Sequence, residues 1–287
     1  MGMVLLVTTN LICGVVMLGG VLSVRPCGRV AIAASFWVLL MGTAFAADLP
    51  MPSAPRAETP ETGSWVVDAA LYGWAAGLSG SVATLPPLPA ANINLGFSDL
   101  LSNLDGAYMG SVYARRDRFV VFGDLMYAKL SADRDFATNV STTVSLTSSS
   151  LIGTGGIGYR VVADPNYSLD LLAGARLYNV STDATLRIGG VFSRSGGTDE
   201  TWVDPMVGAK FSVKLSDNWT LNSWAFAGGF GAGSQFSWDL FGGVGYNFNK
   251  KYSMVLGYRG LGIDYSDNGY VYDVVQKGPV VGFKINF

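Results

Sequence analysis

The side chains that could do chemistry in this chain are carboxylates, lysines and arginines, because its 287 residues include no histidine. Histidine is the usual general base and the usual activator of a serine nucleophile. A Ser–His dyad, an Asp–His pair and histidine ligation of a metal are therefore excluded. Paired carboxylates remain open, but the pair that stands out, Asp199–Glu200, falls in a predicted loop. The sequence thus predicts that the protein is not an enzyme and has no catalytic, cofactor-binding or metal-binding residues.

The charged residues occur in segments in which polar and apolar positions alternate. Between residues 203 and 215, Asp204, Lys210 and Lys214 share one parity, and apolar side chains hold most of the other. Such alternation is typical of a β-strand whose two faces meet different surroundings. If the strands close into a barrel, the charges lie inside and have to pair, because an unpaired buried charge is very costly. We therefore predict a lumen polar network that consists of Arg115, Asp124, Arg160, Asp170, Arg176, Asp204, Lys210, Lys214, Asp239, Arg259 and Lys284.

The composition favours a barrel in a membrane. Hydrophobic residues make up 49% of the chain and charged residues only 14%, below the roughly 25% of average proteins. Downstream of the N-terminal region, however, no apolar run approaches the ~20 residues that a spanning helix needs. A cationic side chain at the lipid midplane would cost roughly 2–4 kcal/mol, which is enough to keep charges off the outer face. A soluble β-sandwich, in which the apolar faces form a core, is the alternative.

The N-terminal region has the order of a secretory signal peptide. Arg25 and Arg29 precede an apolar stretch that ends in Ala44-Phe45-Ala46, which is the charge, core and A-x-A order of such a signal. We assign residues 1–46 to the signal peptide and interpret residues 1–24 as the product of a start codon assigned too early. A retained membrane anchor is the alternative. Residues 47–63 contain four prolines and no apolar period, so we predict a flexible periplasmic tail.

The remaining residues, 64–287, read as strands joined by two kinds of connector. Tight polar connectors alternate with longer or glycine-rich ones, as short periplasmic turns alternate with outer loops in membrane barrels. The fold class predicted is an all-β, transmembrane, antiparallel up-and-down barrel of about 10 strands, with 8 or 12 open because 79–105 and 182–200 could hide further pairing. The predicted strands are 64–78, 106–116, 118–130, 143–161, 168–181, 200–215, 219–229, 235–248, 252–265 and 271–287.

The chain ends in an alternating strand. Phe283, Ile285 and Phe287 share its apolar face, and this pattern resembles the C-terminal signal that the barrel assembly machinery reads. We therefore predict two partners, this machinery during biogenesis and the lipid of the cell outer membrane, where we place the protein. An excess of acidic over basic residues argues against nucleic acid as a partner. We expect a monomer.

The width of the barrel bears on its function. About eight strands leave an interior that side chains just fill, whereas open channels need ~16–18 strands. We therefore predict a side-chain-filled polar lumen with a structural or surface-interaction role, and a narrow pore for small solutes or ions is the alternative. Glycines on the lumen parity, such as Gly156, Gly208 and Gly257, are expected to make room for long arginine and lysine side chains.

Several stretches carry a resemblance to a known family. These include "DAALYGWAAGLSG" (68–80), "LAGARLY" (172–178), "GGFGAGSQFSW" (228–238) and "LGYRGLGIDY" (256–265). Together they make the chain similar to an uncharacterised family of outer-membrane β-barrel proteins from Gram-negative bacteria. The resemblance implies the fold and the location and names no substrate. The chain departs from the family pattern where Phe226 and Ala227 replace an expected acidic residue, at Lys210 in place of arginine, and at Tyr113 in place of an acidic residue.

Overall fold

The structure is a computed structural model that describes residues 63–84, 89–136, 142–188 and 192–287. The predicted signal peptide, residues 1–46, and the tail up to residue 62 lie outside the described residues. Within the described ranges, no helix has the length and apolar character needed to cross a membrane.

The described residues form twelve antiparallel β-strands and one short helix. Ten strands close into a barrel, because β1 pairs with β4 on one side and with β12 on the other. This confirms the predicted ten-stranded antiparallel barrel. The elements are β1 Val66–Trp74, β2 Gly77–Ala83, β3 Ala91–Leu95, α1 Phe97–Ser102, β4 Leu104–Arg116, β5 Phe119–Phe136, β6 Thr142–Ala163, β7 Tyr167–Ile188, β8 Phe192–Lys214, β9 Trp219–Gly228, β10 Phe236–Asn247, β11 Tyr252–Asp267 and β12 Tyr270–Asn286.

The two additional strands form a hairpin beside the barrel wall. After a break at residues 75–76, β2 pairs with residues 271–277 of β12, while β1 pairs with residues 280–286 of the same strand. β3 then pairs with β2 alone. The segment 79–105 thus takes part in the additional strand pairing, between β2 and β3, that the sequence left undecided. Its helix α1 begins where the Gly96 amide donates a hydrogen bond to Asp99 Oδ2 at 2.9 Å.

The barrel has two ends, which we call the turn end and the loop end. The turn end carries the connectors 117–118, 164–166, 215–218 and 248–251 and both ends of the barrel domain, which meet where Phe287 N donates to Val67 O at 2.8 Å. Aromatic side chains surround this end on the outside, including Tyr159, Trp219 and Phe248. An aromatic girdle of this kind is typical of the interface between a membrane and water.

The outer face of the barrel is apolar. Leu71 is 76% exposed and Leu256 57% exposed, and the neighbours of Leu256 on the same face of β11, Met254 and Tyr258, are also large and exposed. In water this belt would be unfavourable, because monomeric soluble proteins rarely expose so large a contiguous apolar surface. The outward parity predicted from the sequence is therefore the lipid-compatible face.

Strands β5–β8 are much longer than a membrane requires. They have 18 to 23 residues, whereas a tilted spanning strand needs ~9–11. On β7 the outward face changes from apolar at Leu177 to polar at Asn179, Ser181 and Asp183. The loop-end halves of these strands therefore form a sheet beyond the apolar belt, in the region where the sequence predicted the long connector 182–200.

The interior is not uniformly polar, contrary to expectation. Toward the loop end it contains a hydrophobic cluster in which the Trp202 ring stacks on Tyr265 at 4.0 Å and on Tyr178 at 5.0 Å. Tyr270 and Leu261 belong to the same cluster and are almost completely buried. These residues share the lumen parity with the charged residues. Alternation assigns a residue to the inner face but does not show which side chains it contacts inside the barrel. Here tyrosine and tryptophan side chains contact one another and pack as a core.

Candidate functional site

Four charged residues form a network across the middle of the barrel, which we call the central charge layer: Asp124, Arg176, Asp239 and Arg259. Arg176 Nη2 lies 2.6 Å from Asp239 Oδ2, and Arg259 Nη2 lies 2.7 Å from the same oxygen. Arg259 Nη2 also reaches Asp124 Oδ1 at 3.2 Å. Two arginines and two aspartates balance in charge, so the layer is a self-contained ionic cross-link between β5, β7, β10 and β11.

Neutral side chains complete the hydrogen bonds of this layer. Tyr72 Oη accepts from Arg259 Nη1 at 2.9 Å and donates to Asp124 Oδ2 at 2.7 Å. Arg176 Nε donates to Thr154 Oγ1 at 2.8 Å, and Trp224 Nε1 donates to Asp239 Oδ1 at 3.2 Å. The sequence analysis missed Tyr72, Thr154 and Trp224, although each shares the lumen parity of its strand. Parity was therefore the signal that could have found them.

A second ionic group lies nearer the turn end. Arg160 and Asp170 face each other on β6 and β7, and two contacts of 2.7 and 3.2 Å join the guanidinium to the carboxylate. Tyr113 Oη donates to Asp170 and accepts from Arg160. A β-bulge directly after Arg160 shifts the register of the pair of strands. Lys284 makes a separate contact of 3.3 Å with Asp68, a residue that the prediction did not include.

Lys210 lies in the same region but has no carboxylate partner among the described residues. Its Nζ is 3.4 Å from the centre of the Tyr113 ring, which is a cation–π contact. The aromatic ring replaces the acidic residue that the family resemblance led us to expect at position 113. The ammonium group is therefore held by a neutral ring.

Asp204 makes no ion pair with any residue that the structure describes and instead fixes the β9–β10 connector. Its carboxylate accepts hydrogen bonds of 2.7 Å from the Ser234 amide and from Ser237 Oγ. The connector turns sharply, with positive φ angles at Gly229, Phe230 and Gly231. Since Asp204 is fully buried, it closes this turn against the barrel wall.

Replacing Asp204 with alanine is expected to lower the free energy of unfolding by about 1.5–3 kcal/mol, because two buried donors lose a charged acceptor. Hydrogen exchange of residues 229–235 should become faster. Asp204→Asn is the control, since its side-chain oxygen can still accept from Ser234, and it should retain slower exchange than Asp204→Ala. Equal exchange in the parent protein and Asp204→Ala would contradict this role.

Lys214 and Arg115 lie apart from the predicted network. Lys214 Nζ contacts Asp217 Oδ1 at 2.8 Å in the exposed turn after β8, and this hydrogen bond lowers the pKa of Asp217. Arg115 Nη1 donates to Asp117 O at 2.8 Å. Both residues occupy the last lumen-parity positions of their strands. Lys214 therefore reaches the turn after β8, and Arg115 contacts the turn after β4 while it also lines the lumen.

A cavity of about 400 Å³ occupies the barrel between the central charge layer and the turn end. Part of its wall is aromatic: the Phe122 and Phe226 rings stack at 5.6 Å, and Trp224 and Phe241 stack at 4.1 Å. The rest of the wall contains lysine and arginine side chains, the carboxylates of Asp68, Asp124 and Asp239, and neutral polar and aliphatic residues.

Glycines on neighbouring strands explain how the rings fit. A Cβ at Gly208 would lie 2.2 Å from Phe226 Cδ1, and a Cβ at Gly257 would lie 2.6 Å from Phe241 Cε2. These two glycines therefore accommodate aromatic rings that lie against the wall, and not the arginine and lysine stems that we expected. This packing keeps the axis of the cavity open.

Neither acidic nor sulfur ligands gather into a metal site. Within residues 63–84, 89–136, 142–188 and 192–287, no three His, Cys, Asp or Glu side chains group so that they could hold a metal ion.

The fold is similar to those of solved outer-membrane proteins. The outer membrane protease OmpT from Escherichia coli matches with a TM-score of 0.52 and 13% identity, over 80% of this chain and 99% of that chain. The translocator domain of the autotransporter NalP from Neisseria meningitidis matches with a TM-score of 0.45 and 14% identity, over 80% and 90%. Ail of Yersinia pestis matches with a TM-score of 0.33 and 12% identity, over 78% and 98%. At 13% identity the match with OmpT shows the fold alone.

The sequence comparisons give the family. No curated protein matches the chain. A family described as "Protein of unknown function, DUF481" matches residues 107–267, which is more than half of the chain. The matched region runs from β4 to the end of β11 and so contains all four residues of the central charge layer. The resemblance to an uncharacterised family of outer-membrane barrels is confirmed, and the chain belongs to the DUF481 family.

Proposed function

We propose that the protein is an integral outer-membrane barrel whose lumen is closed to solutes and whose role is structural or one of surface interaction. The observation that carries this proposal is the central charge layer, which joins strands from opposite sides of the barrel. Side chains of Arg176, Asp239 and Arg259 are at most 4% exposed in the layer. A hydrated ion would have to break these contacts in order to pass.

The hydrophobic cluster provides a second barrier toward the loop end. Trp202 stacks between Tyr178 and Tyr265, and its Nε1 donates to Ser234 Oγ at 2.9 Å. Because the cluster is packed and apolar, an ion would have to lose its hydration there without gaining polar partners. The polar layer and the apolar cluster therefore act in series.

The outer surface supports the proposed location and partners. The apolar belt and the aromatic girdle suit contact with outer-membrane lipid. Phe283 and Phe287 are exposed on the outer face at the end of the chain, where the barrel assembly machinery could read them. The polar sheet at the loop end of β5–β8 would project from the cell and offer a surface for interaction. We propose a monomer, with no nucleic acid as a partner.

A non-enzymatic role fits the state of the carboxylates. In the lumen, Asp124, Asp170 and Asp239 are each engaged by arginine, and Asp204 holds a connector. None of these is left as a base beside a nucleophile. Together with the lack of histidine, this supports a protein without hydrolytic activity.

A narrow pore is the second candidate, and the cavity favours it. The cavity already opens the part of the barrel between the turn end and the central charge layer to a small solute. The central charge layer closes it on one side, however, so conduction would require rearrangement of Asp239 and Arg259.

Conductance measurements in planar bilayers test the proposal. We expect the folded protein to give no stable current steps, because both barriers must be displaced for an ion to pass. Folding can be verified by the difference in electrophoretic mobility between unheated and heated samples, and a general porin serves as the positive control. Stable single-channel steps from the folded protein would refute the closed lumen and establish the pore.

A further inference from the structure

The cavity is accessible from the turn end and closed toward the middle of the barrel. The side chains of Lys284 and Asp68, near the turn end, are 30% and 25% exposed, and that of Arg160 is 17% exposed. Exposure falls to 1% at Asp239 and 3% at Arg259 in the central charge layer. In the proposed orientation the turn end faces the periplasm, so the cavity is a pocket that opens there.

The pocket has an excess of positive charge. Six bases and three carboxylates, those of Asp68, Asp124 and Asp239, line it. Each of these carboxylates is already within 4.0 Å of a base: Asp68 with Lys284, and the two aspartates of the central charge layer with its arginines. Among the lining bases, Arg160 pairs with Asp170, which lies outside the lining. The remaining bases are Lys210 and Arg115, and neither makes an ion pair with any residue that the structure describes. A small anion would supply the missing charge.

Lys210 is the better placed of these two bases. Arg115 donates to a turn carbonyl, whereas the ammonium of Lys210 lies over the Tyr113 ring inside the pocket. A cation on an aromatic face keeps its remaining N–H donors available to a further acceptor. A carboxylate that enters from the turn end would meet this ammonium.

The aromatic wall of the pocket favours a ligand that has an apolar body as well as a negative charge. Phe122, Phe226, Trp224 and Phe241 present stacked rings to the cavity. Aromatic rings bind other rings favourably in offset-stacked or edge-to-face arrangements. The volume of about 400 Å³ lies within the ~300–1,000 Å³ range of small-molecule sites. A hydrated inorganic anion would leave this wall uncovered.

From this combination of groups we propose that the pocket is a binding site for a small organic carboxylate with an aromatic or other apolar body. Lys210 binds the carboxylate, and the four rings bind the body. The inference goes beyond the closed barrel, because it gives the lumen a ligand. The inference rests on the proposed orientation only for the side of the membrane from which the ligand enters. It does not depend on whether the barrel conducts ions.

Binding can be measured by ¹⁹F NMR with 4-(trifluoromethyl)benzoate and the full mature chain in nanodiscs of zwitterionic lipid, with empty nanodiscs as the blank. We expect saturable binding. Lys210→Met should weaken it about tenfold or more, since a hydrogen bond to a charged group is lost. Lys214→Met is the matched control, because it removes a lysine four positions along the same strand but outside the pocket, and its affinity should equal that of the parent. Lys210→Arg keeps the charge and should retain binding.

Two competitors test the two halves of the ligand. The neutral 4-(trifluoromethyl)benzamide and inorganic sulfate should each compete at least tenfold less well than the benzoate. Electrophoretic mobility verifies that every variant is folded. The proposal is overturned if binding does not saturate, if Lys210→Met binds as Lys214→Met does, or if either competitor equals the benzoate. A conducting protein that binds the benzoate in this way would refute the closed lumen and leave the site intact.

Discussion

Asp239→Ala is expected to lower the free energy of unfolding by about 3–5 kcal/mol, the cost of breaking a buried ion pair by removing one partner. Asp239 is the only carboxylate within 4.0 Å of Arg176 among the described residues, and one of two for Arg259. Its loss leaves two buried guanidinium groups with a single aspartate, Asp124. Trp224 Nε1 also loses its acceptor. Asp239 thus contacts two other members of the central charge layer, as does Arg259.

Denaturant unfolding of the refolded barrel in detergent micelles measures this effect. The matched control is Asp217→Ala, which removes the acidic partner of Lys214 in an exposed turn and should leave the unfolding midpoint unchanged. If the two variants unfold at the same denaturant concentration, the central charge layer does not stabilise the barrel. Conductance of the folded Asp239→Ala protein would in addition show whether this layer forms one of the two barriers.

Val207→Arg is expected to lower the free energy of unfolding in a lipid bilayer by roughly 2–4 kcal/mol, because it places a cation on the outer face within the apolar belt. Val207 is 54% exposed on β8, and the side chains beside it on that face of the strand, Val203 and Phe211, are also apolar. The cost arises only where that face meets hydrocarbon. It therefore tests where the membrane lies along the strand.

Ser195→Arg provides the comparison on the same strand. Ser195 shares the outward parity of Val207 and lies in the loop-end half of β8, beyond the apolar belt. A cation there should cost little, because the side chain meets water. Both variants can be unfolded from vesicles of the same lipid. Equal costs at the two positions would contradict the membrane boundary that the change from Leu177 to Asn179 on β7 marks.

Much of the architecture could be predicted from the order of residues. The alternation along residues 203–215 correctly placed Asp204 inside and Val207 outside, because successive side chains of a strand point to opposite faces. Tight polar connectors marked the turn end, since turns need residues that tolerate sharp backbone angles. Strand ends were less accurate: β7 and β8 continue through the predicted connector 182–200.

The pairing of charged side chains could not be predicted in the same way. Asp204 and Asp239 both have lumen parity and apolar neighbours, yet Asp239 binds two arginines while Asp204 binds a backbone amide. Lys210 and Lys214 are four residues apart on one face, and the first lies in the pocket while the second reaches a turn. Parity gives the face, but the partner depends on which strands face each other across the barrel.

The sequence by itself determined the class of fold and the face on which a strand residue lies, and it indicated about ten strands with 8 or 12 left open, because these follow from a period of two and from the chemistry of turns. Only the tertiary structure decided what the interior contains: an aromatic cluster, a charge layer and a pocket at successive heights. The height at which a side chain lies is set by the stagger of the closed sheet, which brings together residues far apart in the chain, such as Tyr72 and Arg259. No local pattern of residues indicates that stagger.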